Sequence, residues 1–115
     1  MRSVSCLVVC LIAASLPARA ANGPAPSSAG ENFEKHCVDC HGSDGRAQTR
    51  LGRKSGAKDL TDKKAMAKLT DEEVFKTIKF GRKNSKGEEK MDAFGDGLSD
   101  LEISDLVAFV RSLAK

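Results

Sequence analysis

Cys37-Val38-Asp39-Cys40-His41 places two thiols and an imidazole in five consecutive positions. Three chemistries use such a cluster. A structural zinc site wants four ligands, commonly as two close pairs. Here one cysteine pair is available, and the chain's two histidines, His36 and His41, flank it. Adjacent positions cannot readily wrap a tetrahedral ion. A Cys-x-x-Cys redox switch opens a helix after a strand in a βαβ unit, whereas a helical stretch precedes these cysteines. The third chemistry uses all three residues, because Cys-x-x-Cys-His is the attachment signature of c-type haem. The thiols add across two vinyl groups and form two thioethers. Two intervening residues match the separation of those vinyls, and His41 reaches the iron as proximal ligand.

The N-terminal segment bears on this choice. Arg2 precedes an apolar run of thirteen residues, Val4 to Leu16, followed by Pro17-Ala18-Arg19-Ala20. The run is short of the roughly 20 residues that span a bilayer. Its charged start and small-residue end predict a signal peptide, residues 1–20, cut after Ala20. Cys6 and Cys10 leave with it, so Cys37 and Cys40 are the only cysteines sent to an oxidising compartment. A bacterial periplasmic protein is expected. The cut also removes Arg2 and Arg19, which leaves seventeen Lys and Arg against sixteen acids. The mature chain is therefore nearly neutral, but its cations are uneven. Arg46, Arg50, Arg53, Lys54 and Lys58 form one basic run, and Arg82, Lys83, Lys86 and Lys90 another. Nucleic acid is a poor partner for an exported chain with no aromatic residues among its cations. Solvated loop charge is the plain reading, and a docking face for an acidic partner the sharper one.

Residues 21–29, with two prolines, read as a flexible leader, and 30–115 as one small domain. No segment shows the alternation of a strand, so the fold class expected is all-α. A short helix should run from Glu31 to the cysteines with Phe33 on its inner face. Residues 42–59, with four glycines and many charges, read as loop. A short helix is expected from about Leu60 to Lys68. Leu69-Thr70-Asp71-Glu72-Glu73-Val74 and Leu98-Ser99-Asp100-Leu101-Glu102-Ile103 share one grammar: a hydroxyl N-cap, Glu three residues on, and a hydrophobic staple. The first predicts a helix to about Phe80, stopped by Gly81. The second predicts a helix nearly to the chain end, with Ile103, Leu106, Val107, Val110 and Leu113 at helical spacing.

With these residues in view, the domain resembles a small bacterial class I c-type cytochrome over essentially all of 30–115. Phe33 stands four residues before Cys37, where the family has an aromatic. Leu106 and Phe109 resemble the leucine and aromatic of its last helix. Lys90-Met91-Asp92-Ala93-Phe94-Gly95 and the helix after it resemble the family's ligand loop and C-terminal helix. The resemblance implies crossing N- and C-terminal helices, loops wrapping one covalent haem c, and electron transfer without catalysis.

The iron then needs a sixth ligand. His36 is too close to the motif to reach the opposite face. Met66 falls in a predicted helix and reads as packing. Met91 falls in irregular chain fifty residues after His41, where the family's ligand also falls. Cys37, Cys40, His41 and Met91 are therefore the expected site. Three departures stand out. Asp92 follows Met91 where many relatives have proline. No tryptophan is present to bond a propionate. The loop 53–57 has no proline to carry the carbonyl that orients His41. The function expected is a monomeric periplasmic electron carrier that meets redox proteins transiently and, once the signal peptide is cut, has no membrane span. A haem sensor or small-gas binder, and an electron-delivery subunit of a larger complex, are the alternatives.

Overall fold

A computed structural model describes residues 28–115. The expected signal peptide and residues 21–27 of the expected leader lie outside the described residues.

The N-terminal helix α1 spans Ala29–His36. Ser28 accepts from the Glu31 amide and Glu31 from the Ser28 amide, which closes a capping box. Ser28 and Ala29, read from sequence as leader, thus cap and open a helix. The α1 face carries Phe33, 3% exposed, across to the C-terminal helix. That helix, here α6, spans Asp100–Leu113 behind the Ser99–Glu102 box and buries Ile103, Leu106, Val107 and Val110. The two helices pack on each other. Phe33 and Phe109 meet at their contact, ring centroids 5.1 Å apart and tilted by 46°.

Between them, α4 (Lys63–Ala67) starts at Asp62, whose carboxylate accepts from the Lys64 and Ala65 amides. Helix α5 (Asp71–Phe80) starts at the Thr70–Glu73 box and ends at Gly81. Met66 of α4 and Val74 and Ile78 of α5 complete the core with α6, Leu60 and Leu98. Each fully buried aliphatic of this set contributes roughly 1.5–3 kcal/mol. Arg111 ties α6 to the α4–α5 junction. Its guanidinium donates to Asp71 at 2.8 Å, to the Met66 carbonyl at 2.6 Å and to the Leu69 carbonyl. Among the described residues no helix is long and apolar enough to cross a membrane.

Three elements remain, and the sequence indicated none of them as such. The motif itself is a helical turn, α2 (Val38–His41). A six-residue helix, α3 (Arg50–Ser55), stands where loop was expected, capped by Thr49 and ended by Gly56 in the left-handed region. Residues 82–91 form a two-stranded antiparallel ribbon, β1 (Arg82–Lys83) and β2 (Glu89–Met91), with a bulge. Strands of two and three residues are too short to show the alternation that marks a longer one.

Candidate functional site

Helix α1 delivers the motif. Cys37 closes α1 by donating its amide to the Phe33 carbonyl at 2.9 Å, and opens α2 by accepting from His41 at 2.8 Å. One helical turn then sets residues 37, 40 and 41 on one side, since positions three and four apart are neighbours. Both thiols are free and partly buried. Burial, with Cys40 close by, pushes the Cys37 thiol up to about 11. It is a protonated sulfur at neutral pH in the unmodified chain.

The imidazole of His41 is oriented by a backbone oxygen. Its Nδ1 lies 3.0 Å from the Lys58 carbonyl. With Nδ1–H donating there, Nε2 is left as the ligating nitrogen. Burial, the larger cause, and the Arg82 charge hold the imidazole below its ordinary pKa, against the Lys58 bond that favours protonation. A neutral ring is the form that binds a metal ion. The acceptor is thus the Lys58 carbonyl, one residue beyond the proline-free loop 53–57.

Helix α3 braces the motif from behind. Thr49 Oγ1 donates to the Cys40 carbonyl at 2.9 Å and accepts from the Gly52 amide at 2.8 Å. Gly52 is buried so close to the turn that a Cβ there would stand 2.2 Å from the Cys40 oxygen.

Met91 is held by a second set of contacts. Gly81 has φ +74°, and a side chain on it would meet the Met91 carbonyl at 2.5 Å. Beyond Met91, the Phe94 and Gly95 amides donate to the Ile78 and Lys79 carbonyls, both at 3.0 Å. These are the carbonyls that a helix end leaves without partners. The same bonds therefore cap α5 and fix the chain that carries Met91. The His36 ring sits 5.5 Å from that of Phe94, beside the motif and not across from it.

Two hollows meet here. One, of about 430 Å³, is lined mainly by apolar side chains including Phe33, Leu60, Val74 and Leu106, with Cys37, His41 and Met91 in its wall. The other, of about 340 Å³, holds Cys37, Cys40, His41 and Met91 together. All four expected site residues thus line one connected neighbourhood. Met66, 2% exposed, lines the first hollow only. Lys58, Lys76 and Arg82 are the cations in the wall of the first hollow. The size is within the range of cofactor sites, and mostly apolar walls with a few polar groups are their usual composition. Two sulfurs, an imidazole with one nitrogen left for a ligand, and an apolar slot fit a covalent haem.

Residues 24–110 match the family described as cytochrome C oxidase, cbb3-type, subunit III. The chain belongs to this family of class I c-type cytochromes. Among solved structures it is similar to the KustC0563 c-type cytochrome, at 32% identity and a TM-score of 0.69. That match covers 77% of this chain and all of that one. A mutant of the same cytochrome gives 33% identity and a TM-score of 0.66, over 76% of this chain and 99% of that one. No curated protein matches. The fold expected from the sequence, a small helical cytochrome c with its terminal helices packed together, is the fold of this cytochrome. Its family implies covalently bound haem c and electron transfer.

Sequence reasoning missed the groups that act through the backbone. The Lys58 carbonyl has no side-chain signature. Thr49 carried a signal, a hydroxyl three residues before a glycine in a basic stretch, but a weak one. Arg82 was counted with a charge run although it reaches the cavity wall.

Proposed function

We propose that this cytochrome is an electron carrier of the bacterial periplasm, holding a single haem through Cys37 and Cys40 with His41 and Met91 as axial ligands. The observation that carries the proposal is the shared wall: Cys37, His41 and Met91 line the same apolar hollow, with His41 turned by Lys58 so that Nε2 is its ligating nitrogen. The expected signal peptide, residues 1–20, supports export.

The bound haem would supply a one-electron change at iron. The chain's work is to hold that iron's surroundings constant while its charge changes. Cys37 and Cys40 fix the macrocycle covalently. His41 contributes a neutral imidazole that the Lys58 carbonyl keeps in one orientation. Met91 contributes a thioether, which favours the ferrous state relative to a second imidazole and raises the potential. Phe33, Leu60, Met66, Val74 and Leu106 exclude water from the slot. Lys58, Lys76 and Arg82 are the cations that could pair with propionates in the absence of any tryptophan; Arg82 Nη2 donates to the Gly56 carbonyl at 3.2 Å and so fixes the loop that carries Lys58. Encounters with donor and acceptor should be small and transient.

The deciding experiment is the absorption spectrum of purified oxidised protein, paired with haem-stained denaturing electrophoresis. A stained band and the weak far-red charge-transfer band of Met–Fe(III) ligation are expected. A stained band without the far-red band would turn the reading to a gas binder or sensor. Loss of haem under denaturation would remove the covalent reading altogether. Cys37→Ala and Cys40→Ala should each abolish normal attachment.

A further inference from the structure

Phe94 is where the fold fastens the segment that follows Met91. Its amide donates to the Ile78 carbonyl at 3.0 Å, and its carbonyl accepts from the Gly97 and Leu98 amides at 3.1 and 2.9 Å. Main-chain bonds on both sides thus fix where its ring starts, and Leu98, 7% exposed, carries that anchorage into the core. Asp92 and Ala93, between Met91 and Phe94, are both exposed. They bring no buried side chain to the turn. After Met91 itself, the Phe94 ring is therefore the side chain that this segment commits to the cleft.

There the ring meets the His36 imidazole, with centroids 5.5 Å apart and planes tilted by 58°. Tilted aromatic rings at about 4.5–7 Å are in a favoured arrangement. His36 ends α1 and directly precedes Cys37. The position of α1 is set elsewhere, by the Ser28–Glu31 box and by buried Phe33. Both rings line the cleft that holds Cys37, Cys40, His41 and Met91. The attachment turn and the ligand segment, fifty residues apart in the chain, are thus bridged by one ring contact. The haem reading leaves His36 without a part, since it stands beside the motif and cannot reach the far face of the iron. The contact gives it one.

We propose that His36 and Phe94 form a clasp that keeps the Met91 segment closed against the attachment turn, which makes both of them positioning residues for the Met91 thioether. The proposal rests on the reading of Met91 as axial ligand. For Met91 to leave the iron its segment must swing out of the cleft. A swing about the bonds at Ile78 and Lys79 parts the two rings. A ring pair of this kind shifts an open–closed balance by roughly two- to tenfold. A closed segment in turn limits how often a foreign ligand finds the iron free.

The test uses haem-loaded ferric protein mixed with cyanide in a stopped-flow instrument. Cyanide carbon replaces the Met91 sulfur on the iron, and loss of the far-red band reports the exchange. His36→Ala and Phe94→Ala should each speed capture by roughly two- to tenfold. The double variant should exceed the larger single effect by little, because the same contact is lost in all three. His36→Phe, which keeps a ring, should stay near the native rate. Phe94→Leu, which keeps apolar bulk without the ring, replaces Phe94→Ala should the latter fail to load haem. Phe109→Ala is the control for general loosening. Its ring packs on Phe33, outside the lining of this cleft, so it should lower the denaturation midpoint and leave cyanide capture as it is. Native rates in the single variants would overturn the clasp. So would a double variant whose effect is the product of the two, or capture that quickens in Phe109→Ala in step with lost stability. A native protein without the far-red band takes down the Met91 reading and this one together, whereas a native band with unchanged rates in the variants takes down this one only.

Discussion

Gly52→Ala tests whether α3 really sets the attachment turn, because two effects of known sign compete at that residue. In a free helix the change favours folding by about 0.8–1.0 kcal/mol, the helix penalty of glycine relative to alanine. In this fold the new Cβ would stand 2.2 Å from the Cys40 carbonyl oxygen, 2.6 Å from the Ala47 carbonyl oxygen and 2.9 Å from Thr49 Oγ1. Two of the three are backbone atoms, so no side chain can swing aside for them. Ordinary contact begins near 3.4 Å, so α3 must withdraw by roughly 1 Å. Overpacking of this kind costs typically 1–3 kcal/mol. The withdrawal also stretches the 2.9 Å bond from Thr49 to Cys40, a net contribution of about 1 kcal/mol. The balance is a loss of about 1–3 kcal/mol. Denaturant melts of haem-loaded protein measure it, with the visible spectrum as a second reading, since the Cys40 carbonyl belongs to the turn that carries His41. Thr49→Val, which loses both the bond to Cys40 and the cap on the Gly52 amide, should cost about 1–3 kcal/mol. If Gly52→Ala instead stabilises the protein by close to the helix-propensity gain, with an unchanged spectrum, α3 does not press on the motif and the brace is wrong.

Met91→Ala should abolish the far-red band, lower the potential and open the iron to carbon monoxide or cyanide, with water or a nearby lysine such as Lys90 taking the vacant position. Met66→Ala should keep the band and lose about 2–5 kcal/mol of stability, as a side chain 2% exposed would; the reverse pattern makes Met66 the ligand. Phe33→Ala should cost about 3–5 kcal/mol, being 3% exposed. Phe109→Ala should cost less, because its ring is only partly buried, and equal losses in melts would contradict that ranking. Asn32 is 3% exposed, and its side-chain nitrogen has no hydrogen-bond partner among the described residues. Asn32→Leu should therefore raise the denaturation midpoint, by the equivalent of about 1–3 kcal/mol; a lower midpoint would mean the amide is satisfied after all.

What could be read in advance follows from where the cause of each element lies. The boxes at Thr70–Glu73 and Ser99–Glu102 are local: both partners lie within four residues, so sequence alone located α5 and α6, and Gly81 gave the end of α5. The third box, Ser28–Glu31, uses the same local grammar. It was lost because two prolines and a run of small residues marked the segment up to Ala29 as leader. Helix α3 has a different kind of cause. Its glycines and charges argue against a helix, and what requires Gly52 is the Cys40 carbonyl twelve residues away. The ribbon is held by β1–β2 pairing, with Asn84 Oδ1 accepting from the Lys86 and Glu88 amides in its turn; neither strand is long enough to leave a pattern.

The same division runs through the site. Cys37, Cys40 and His41 form one contiguous signature, and Met91 stood out by its place before α6. What positions those side chains is backbone: the Lys58 carbonyl behind His41, and the Ile78 and Lys79 carbonyls that hold the chain after Met91. A carbonyl is present at every residue, so its use leaves no trace in residue type. This has a consequence for substitution. Lys58 should tolerate Gln or Ala without disturbing the His41 orientation, because the acceptor survives the change. Gly81 should not tolerate Ala, because its φ is +74° and the Met91 carbonyl lies 2.5 Å from where the Cβ would stand. The chemistry-bearing side chains are thus the legible part of the site, while its geometry depends on main-chain atoms whose neighbours only the fold reveals.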